Sequence, residues 1–157
     1  MTKEQKQDFT RRITQANRSG LVLIKFEMLF VYFDDICEAF RQNDKEKLKS
    51  GIHYADAVLK SFQETLDFRY EIAGQLYALY DFHRRQLAKV LMRHSLEELE
   101  QSRKMLQRLY AAFEAAARQD TSGPLMQNAQ QVYAGYTYGK HDLNESLDIQ
   151  ASRGFLA

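Results

Sequence analysis

Residues that interrupt helices are scarce in this sequence. The chain of 157 residues contains a single proline, Pro124, and seven glycines. Because proline and glycine mark turns and end helices, their scarcity before position 120 favours long helices. The alternation of polar and apolar residues that is typical of strands is also missing. The sequence therefore predicts an all-α fold.

An excess of either charge is missing as well, and there is only one cysteine. The formal net charge is +1, which argues against a large basic surface for nucleic acid and against an acidic shield. The single thiol, Cys37, excludes an internal disulfide, and its apolar setting is typical of a small buried side chain. We therefore expect a cytoplasmic protein with no nucleic-acid partner.

Long uninterrupted apolar runs do not occur. The polar start, MTKEQKQDFTRR, has no apolar segment directly behind its charges and is unlike a secretory signal. The longest apolar run, Leu21–Phe33, contains Lys25 and Glu27 and is too short to cross a bilayer. We expect no membrane insertion.

Apolar residues do recur at helical spacing in four long stretches. This spacing predicts helices over residues 19–42, 45–66, 70–94 and 96–119. The predicted N-terminal caps are Ser19, Asn43 or Asp44, and Ser95 in a capping box with Glu98. Because short connections favour antiparallel neighbours, we expect an antiparallel four-helix bundle over residues 1–119.

The two ends of the chain differ from the bundle. The polar segment at residues 2–17 predicts a short N-terminal helix, and Phe9 and Ile13, four positions apart, share one side of it. Residues 120–157 are predicted to form an extended, partly flexible C-terminal tail. This tail keeps aromatic residues, which disordered tails usually lack, so we expect the part around Tyr133–Leu147 to dock.

The first long helix carries two apolar stripes. The main stripe consists of Val22, Phe26, Leu29, Phe33, Ile36 and Phe40, and the second stripe consists of Leu21, Ile24, Met28 and Val31. Two stripes make a wider apolar surface than one neighbouring helix needs. This helix is therefore expected to be central in the bundle or to receive a partner.

Residues that carry enzymatic chemistry do not occur at the required spacing. A carboxylate-bridged metal site in a helical bundle needs Glu-x-x-His pairs, and none is present. There is no Gly-x-Ser-x-Gly frame and no glycine-rich phosphate loop. We expect no catalysis, no metal and no cofactor. His83, on the apolar side of the third long helix, is interpreted as a hydrogen-bonded core or interface residue.

The most specific sequence motif lies near the start of the third long helix. Residues 72–82 read IAGQLYALYDF, and Leu66-Asp67-Phe68 precedes them. This text resembles the FliS family of flagellar secretion chaperones, which reads Glu-Ile-Ala-x-Asn-Leu-x-x-Leu-Tyr-x-Tyr after Leu-Asp/Asn-Phe and two glycines. Glu71–Ala73 and Leu76–Asp81 match, whereas Arg69-Tyr70 replaces the glycine pair. The resemblance covers about residues 9–118.

The resemblance implies a fold, a partner and a mechanism. The family fold is an antiparallel four-helix bundle with a short N-terminal helix, without catalytic activity or cofactor. The implied function is a cytoplasmic export chaperone that binds the C-terminal segment of flagellin, or of a flagellin-like client. The segment becomes helical on binding, and this prevents premature polymerisation and delivers the client to flagellar secretion. The loss of the glycine pair suits a divergent member.

A client-binding site follows from the second stripe and from the family-like text. Its predicted residues are Leu21, Ile24, Met28, Leu76, Tyr77 and Tyr80. Family members use their N-terminal helix as a displaceable cover, so Phe9 and Ile13 are predicted to form a lid. Two alternatives stay open: a non-catalytic adaptor or structural bundle that forms a homodimer through its apolar face, and a ferritin-like enzyme, which lacks the ligands.

Overall fold

Five α-helices and no β-strand occur in residues 1–126, the part of the chain that the computed structural model describes. The helices are α1 (Lys3–Gln15), α2 (Arg18–Arg41), α3 (Lys45–Glu64), α4 (Ile72–Arg93) and α5 (Glu97–Ala117). The predicted all-α class is confirmed, and the four long helices lie within a few residues of their predicted bounds. The predicted docking of the tail around residues 133–147 lies outside the described residues.

The four long helices form a ring. Each packs on the next along the chain, and α5 packs back on α2, whereas α1 makes its contacts mainly with α2. Only three residues join α2 to α3 and α4 to α5, and seven join α3 to α4. Such short connections require neighbouring helices to run in opposite directions. The result is the expected bundle, with α1 added to its outside.

The core is built around α2. Phe26, Leu29, Phe33 and Ile36 are fully buried, at 0% exposure, and the ring of Phe26 lies 4.6 Å from that of Phe62 on α3. The approach of α3 to α2 is closest at Gly51, where a Cβ atom would meet Ile36 Cγ1 at 2.9 Å. The main stripe of α2 therefore faces the interior of the ring.

Of the predicted helix caps, the one at α3 forms and the one at α2 does not. Asp44 caps α3 as expected, because its carboxylate accepts a hydrogen bond from the backbone N–H of Lys47 at 3.0 Å. Ser19 does not cap α2. Asn17 does so, with its side-chain oxygen accepting from the N–H of Gly20 at 2.8 Å, and Ser19 lies inside the first turn of the helix.

The predicted capping box at the start of α5 is wrong. The helix begins at Glu97, and the Ser95 hydroxyl accepts only the N–H of that residue, at 3.2 Å. The Glu98 carboxylate pairs instead with Arg93 at 2.8 Å. The reason lies one residue earlier, where His94 adopts a left-handed conformation, with φ 49°, and turns the chain before the helix starts.

The interior of the ring holds a neutral imidazole. His83 on α4 is 0% exposed, and neither ring nitrogen has a hydrogen-bond partner within residues 1–126. His83 is thus a core residue, as expected, whereas the expected hydrogen bonds are not made within residues 1–126. Burial disfavours the charged form and lowers the pKa of His83 to about 4.

This burial predicts a loss of stability in mild acid. Because the pKa of His83 is about 4 in the folded chain and 6.5 ordinarily, the unfolded state binds the proton first. The free energy of unfolding should therefore fall as the pH drops from 6.5 to 4, by at most about 3 kcal/mol. Urea unfolding of the wild type and of His83→Leu at pH 7 and pH 4.5 measures this. Equal losses in the two proteins would contradict the assignment.

Candidate functional site

The helix α1 lies along one side of α2. Its Arg12 forms an ion pair with Glu27, with 2.6 Å between Nη1 and Oε2, and the Met1 amine pairs with Asp35. Glu27 and Asp35 are eight positions apart and so lie near one side of α2. Because Met1 meets the later position and Arg12 the earlier one, α1 runs antiparallel to α2.

The contact between α1 and α2 is separate from the core. Phe9 is 7% exposed and Ile24 is 5% exposed, yet neither belongs to the cluster of buried residues inside the ring. Ile13, the other predicted lid residue, is half-buried. Leu21 lies three positions before Ile24 and Met28 four positions after it, and both are half-buried. The second stripe of α2 is thus the side on which α1 lies.

The three predicted client residues on α4 have different surroundings. Tyr80 is 1% exposed, its ring stacks on Phe62 at 5.0 Å between centroids, and burial raises its pKa to about 12. Leu76 is half-buried and packs against the core. Tyr77 alone is open, at 46% exposure. Tyr80 is therefore a core residue in this structure.

The six predicted residues do not form one surface. The helices α2 and α4 occupy non-adjacent positions in the ring, since α3 and α5 each pack against both. The α2 residues lie beneath or beside α1, whereas Tyr77 opens on another side. A client that contacts both sets has to extend around the bundle.

Sequence analysis missed an apolar surface near Tyr77. Four exposed side chains follow one another from the α3–α4 connection into α4, and we call them the aromatic patch: Phe68, Tyr70, Ile72 and Tyr77, at 64, 66, 59 and 46% exposure. The rings of Phe68 and Tyr77 lie 6.0 Å apart. Neighbouring exposed apolar side chains such as Phe68 and Tyr77 are typical of interaction sites. The sequence does contain a sign of this surface, because aromatic residues occur in the connection between α3 and α4, where polar residues are usual.

Polar contacts hold the patch in place. The buried side chain of Gln63 donates to the backbone carbonyl of Tyr77 at 3.2 Å and accepts from Arg84 at 3.1 Å. Arg84 is fixed in turn by two hydrogen bonds to Asp56, at 2.7 and 3.1 Å. These contacts join α3 to α4 directly behind Tyr77. The backbone at Tyr77 is therefore held in place by contacts between α3 and α4, although the side chains of the patch are exposed.

The described residues offer little for other kinds of site. Within residues 1–126, no group of three or more His, Cys, Asp or Glu side chains is arranged to hold a metal ion. The same residues contain no helix that is long and apolar enough to span a membrane. A groove of about 420 Å³ opens between the start of α1, α2 and α3, beside the stacked rings of Tyr32 and Tyr54.

Comparison with known proteins assigns the chain to a family. The family described as flagellar protein FliS matches residues 1–120, a range that contains all five helices. A comparison with curated proteins gives no match. The resemblance seen in the text around α4 is confirmed, and the chain belongs to the FliS family of flagellar proteins.

Proposed function

We propose that this protein is a cytoplasmic export chaperone that binds the C-terminal segment of flagellin or of a flagellin-like client. Membership of the FliS family gives the chain a non-enzymatic role as a flagellar chaperone. In the proposed mechanism, the bound client segment is unable to polymerise until it is handed to flagellar secretion. The observation that carries the proposal is the seating of α1 on the second stripe of α2, outside the core.

The cover formed by α1 has the properties of a displaceable element. It packs mainly on one helix, and Phe9 is its one buried side chain. Burial of one such side chain stabilises by about 1.5–3 kcal/mol, and partly exposed ion pairs such as Arg12–Glu27 add about 1 kcal/mol or less. Elements held this weakly open without unfolding of the whole domain. A client helix can therefore compete with α1 for Leu21, Ile24 and Met28.

The aromatic patch supplies the second part of the proposed client site. Its exposed tyrosines are of the type that dominates binding energy at interfaces. Tyr80 and Leu76 then act from inside, as the packing behind Tyr77, and do not contact the client. A segment that takes the place of α1 and continues to the patch has to wrap around the bundle, as the family resemblance implies.

Direct binding tests the proposed function. Titration calorimetry of the full chain with a purified flagellin C-terminal segment should give a one-to-one complex. Light scattering should show a monomer before the addition and a heterodimer after it. A stable homodimer that takes up no flagellin segment would refute the proposal and favour the adaptor that dimerises through its apolar face.

Tyr77 provides a test of the aromatic patch. The change Tyr77→Asp should weaken binding of the flagellin segment by about 1–3 kcal/mol, because it places a charge in the centre of an apolar contact. Met105→Asp on α5 is the matched control, since Met105 is similarly exposed, at 42%, and lies outside the patch. Calorimetry of both variants, with melting curves to show that they are folded, gives the comparison. Equal affinities would remove the patch from the site.

Removal of α1 provides a test of the lid. Deletion of residues 1–16 should tighten binding of the flagellin segment, because the competing contact within the chain is gone. It should also lower solubility, since the second stripe of α2 becomes exposed. Calorimetry and light scattering on the two chains measure both effects. Unchanged or weaker binding would mean that α1 is scaffold or part of the client site.

A further inference from the structure

Glu27 is a carboxylate in the middle of an apolar stretch of α2. Between Leu21 and Phe33, only Lys25 and Glu27 carry a charge. Lys25 turns towards α3, where its Nζ donates to the backbone carbonyl of Ser61 at 3.4 Å. Glu27 instead faces α1. Its charge thus belongs to the surface that the lid covers.

The partners of Glu27 come from two helices. The guanidinium of Arg12 on α1 lies 2.6 Å from Oε2, and the hydroxyl of Tyr110 on α5 donates to Oε1 at 3.4 Å. The same guanidinium lies 5.6 Å from the centre of the Phe9 ring. The Glu27 side chain is 30% exposed in this arrangement. One cation therefore neutralises Glu27 and covers the buried aromatic anchor of the lid.

Displacement of α1 leaves Glu27 without its cation. Tyr110 remains in place, and burial together with the charge of Glu27 raises the pKa of this phenol, so it stays a hydrogen-bond donor. A hydroxyl does not balance a full negative charge, however. If an apolar helix covers the second stripe, Glu27 loses water and receives no cation in exchange, which is unfavourable.

We propose that Glu27 is a specificity-determining residue for the client, and that the surface beneath α1 accepts an amphipathic helix carrying a basic residue in the place of Arg12. This inference rests on the proposed function. Arginine suits the position better than lysine, because its planar guanidinium can form two parallel hydrogen bonds with a carboxylate. The same carboxylate rejects helices that present an acidic residue there.

Two single variants of the full chain separate the lid from the client site. Arg12→Ala and Glu27→Gln both remove the ion pair between α1 and Glu27, and glutamine keeps the shape and the contact to Tyr110. Arg12→Ala should bind the flagellin segment several-fold more tightly than the wild type, because the closed state is weakened. Glu27→Gln should bind at least tenfold more weakly than Arg12→Ala, because the client cation loses its partner.

The salt dependence gives a second readout that a structural role does not change. Between 50 and 500 mM salt, the affinity of Arg12→Ala should fall more steeply than that of Glu27→Gln, since screening acts only on the charged pair. Asp34→Asn is the control, because Asp34 also forms an ion pair of 2.6 Å, but its partner is Arg103 on α5. Asp34→Asn should bind the flagellin segment with the same affinity and the same salt dependence as the wild type.

The outcomes distinguish the inference from the function on which it rests. If Arg12→Ala and Glu27→Gln bind equally tightly, with the same salt dependence, Glu27 belongs only to the lid and the inference is overturned, whereas the chaperone function stands. If the wild type and Arg12→Ala both fail to bind the flagellin segment, the proposed function fails, and the inference fails with it. Melting curves of every variant show whether the ring of helices is intact.

Discussion

The structure depends on the two apolar sides of α2. The ring formed with α3, α4 and α5 covers one side completely, so that Leu29, Phe33 and Ile36 have no exposed surface. A ring of four helices has no member left for the other side. The second stripe would face water unless a further helix covered it, and α1 takes this position. The fold and the proposed mechanism therefore have a common cause.

The difference between the two sides of α2 is a difference in how firmly each is covered. The inner side belongs to a core with contributions from every helix of the ring, and it opens only when the domain unfolds. The outer side is held by one buried aromatic, Phe9, and by the ion pairs Arg12–Glu27 and Met1–Asp35. A partner helix needs to outcompete only this second set. Binding can then proceed while the ring stays folded.

The sequence predicted the helices well because their periodicity is strong, and the wide surface of α2 was visible as two stripes. Local backbone geometry was harder to predict from the sequence. The left-handed conformation of His94 moved the start of α5, and α2 is capped by Asn17 and not by Ser19. Helical periodicity also predicts that Tyr80 is buried, although the family-like sequence led us to place it in the client site. Ala73, Tyr80 and Leu87 recur every seven positions and are all buried, so helical spacing alone places Tyr80 inside.

The exposed patch was harder to foresee, because helical periodicity says nothing about connections between helices. Phe68 and Tyr70 lie between α3 and α4, where their exposure depends on how the chain turns. Tertiary structure was needed to bring Phe68 next to Tyr77. It was also needed to show that Glu27 faces α1, because its spacing fits several sides of a helix with two apolar stripes.

Hydrogen exchange of the full chain, with and without a saturating flagellin C-terminal segment, tests the central claim most directly. If the client takes the place of α1, the amides of α1 should exchange faster in the complex. Those of α2 to α5 should exchange at the same rate or more slowly, because the ring stays folded. A complex in which the amides of α1 become more protected would contradict the account, since α1 would then be part of the binding site and not its cover.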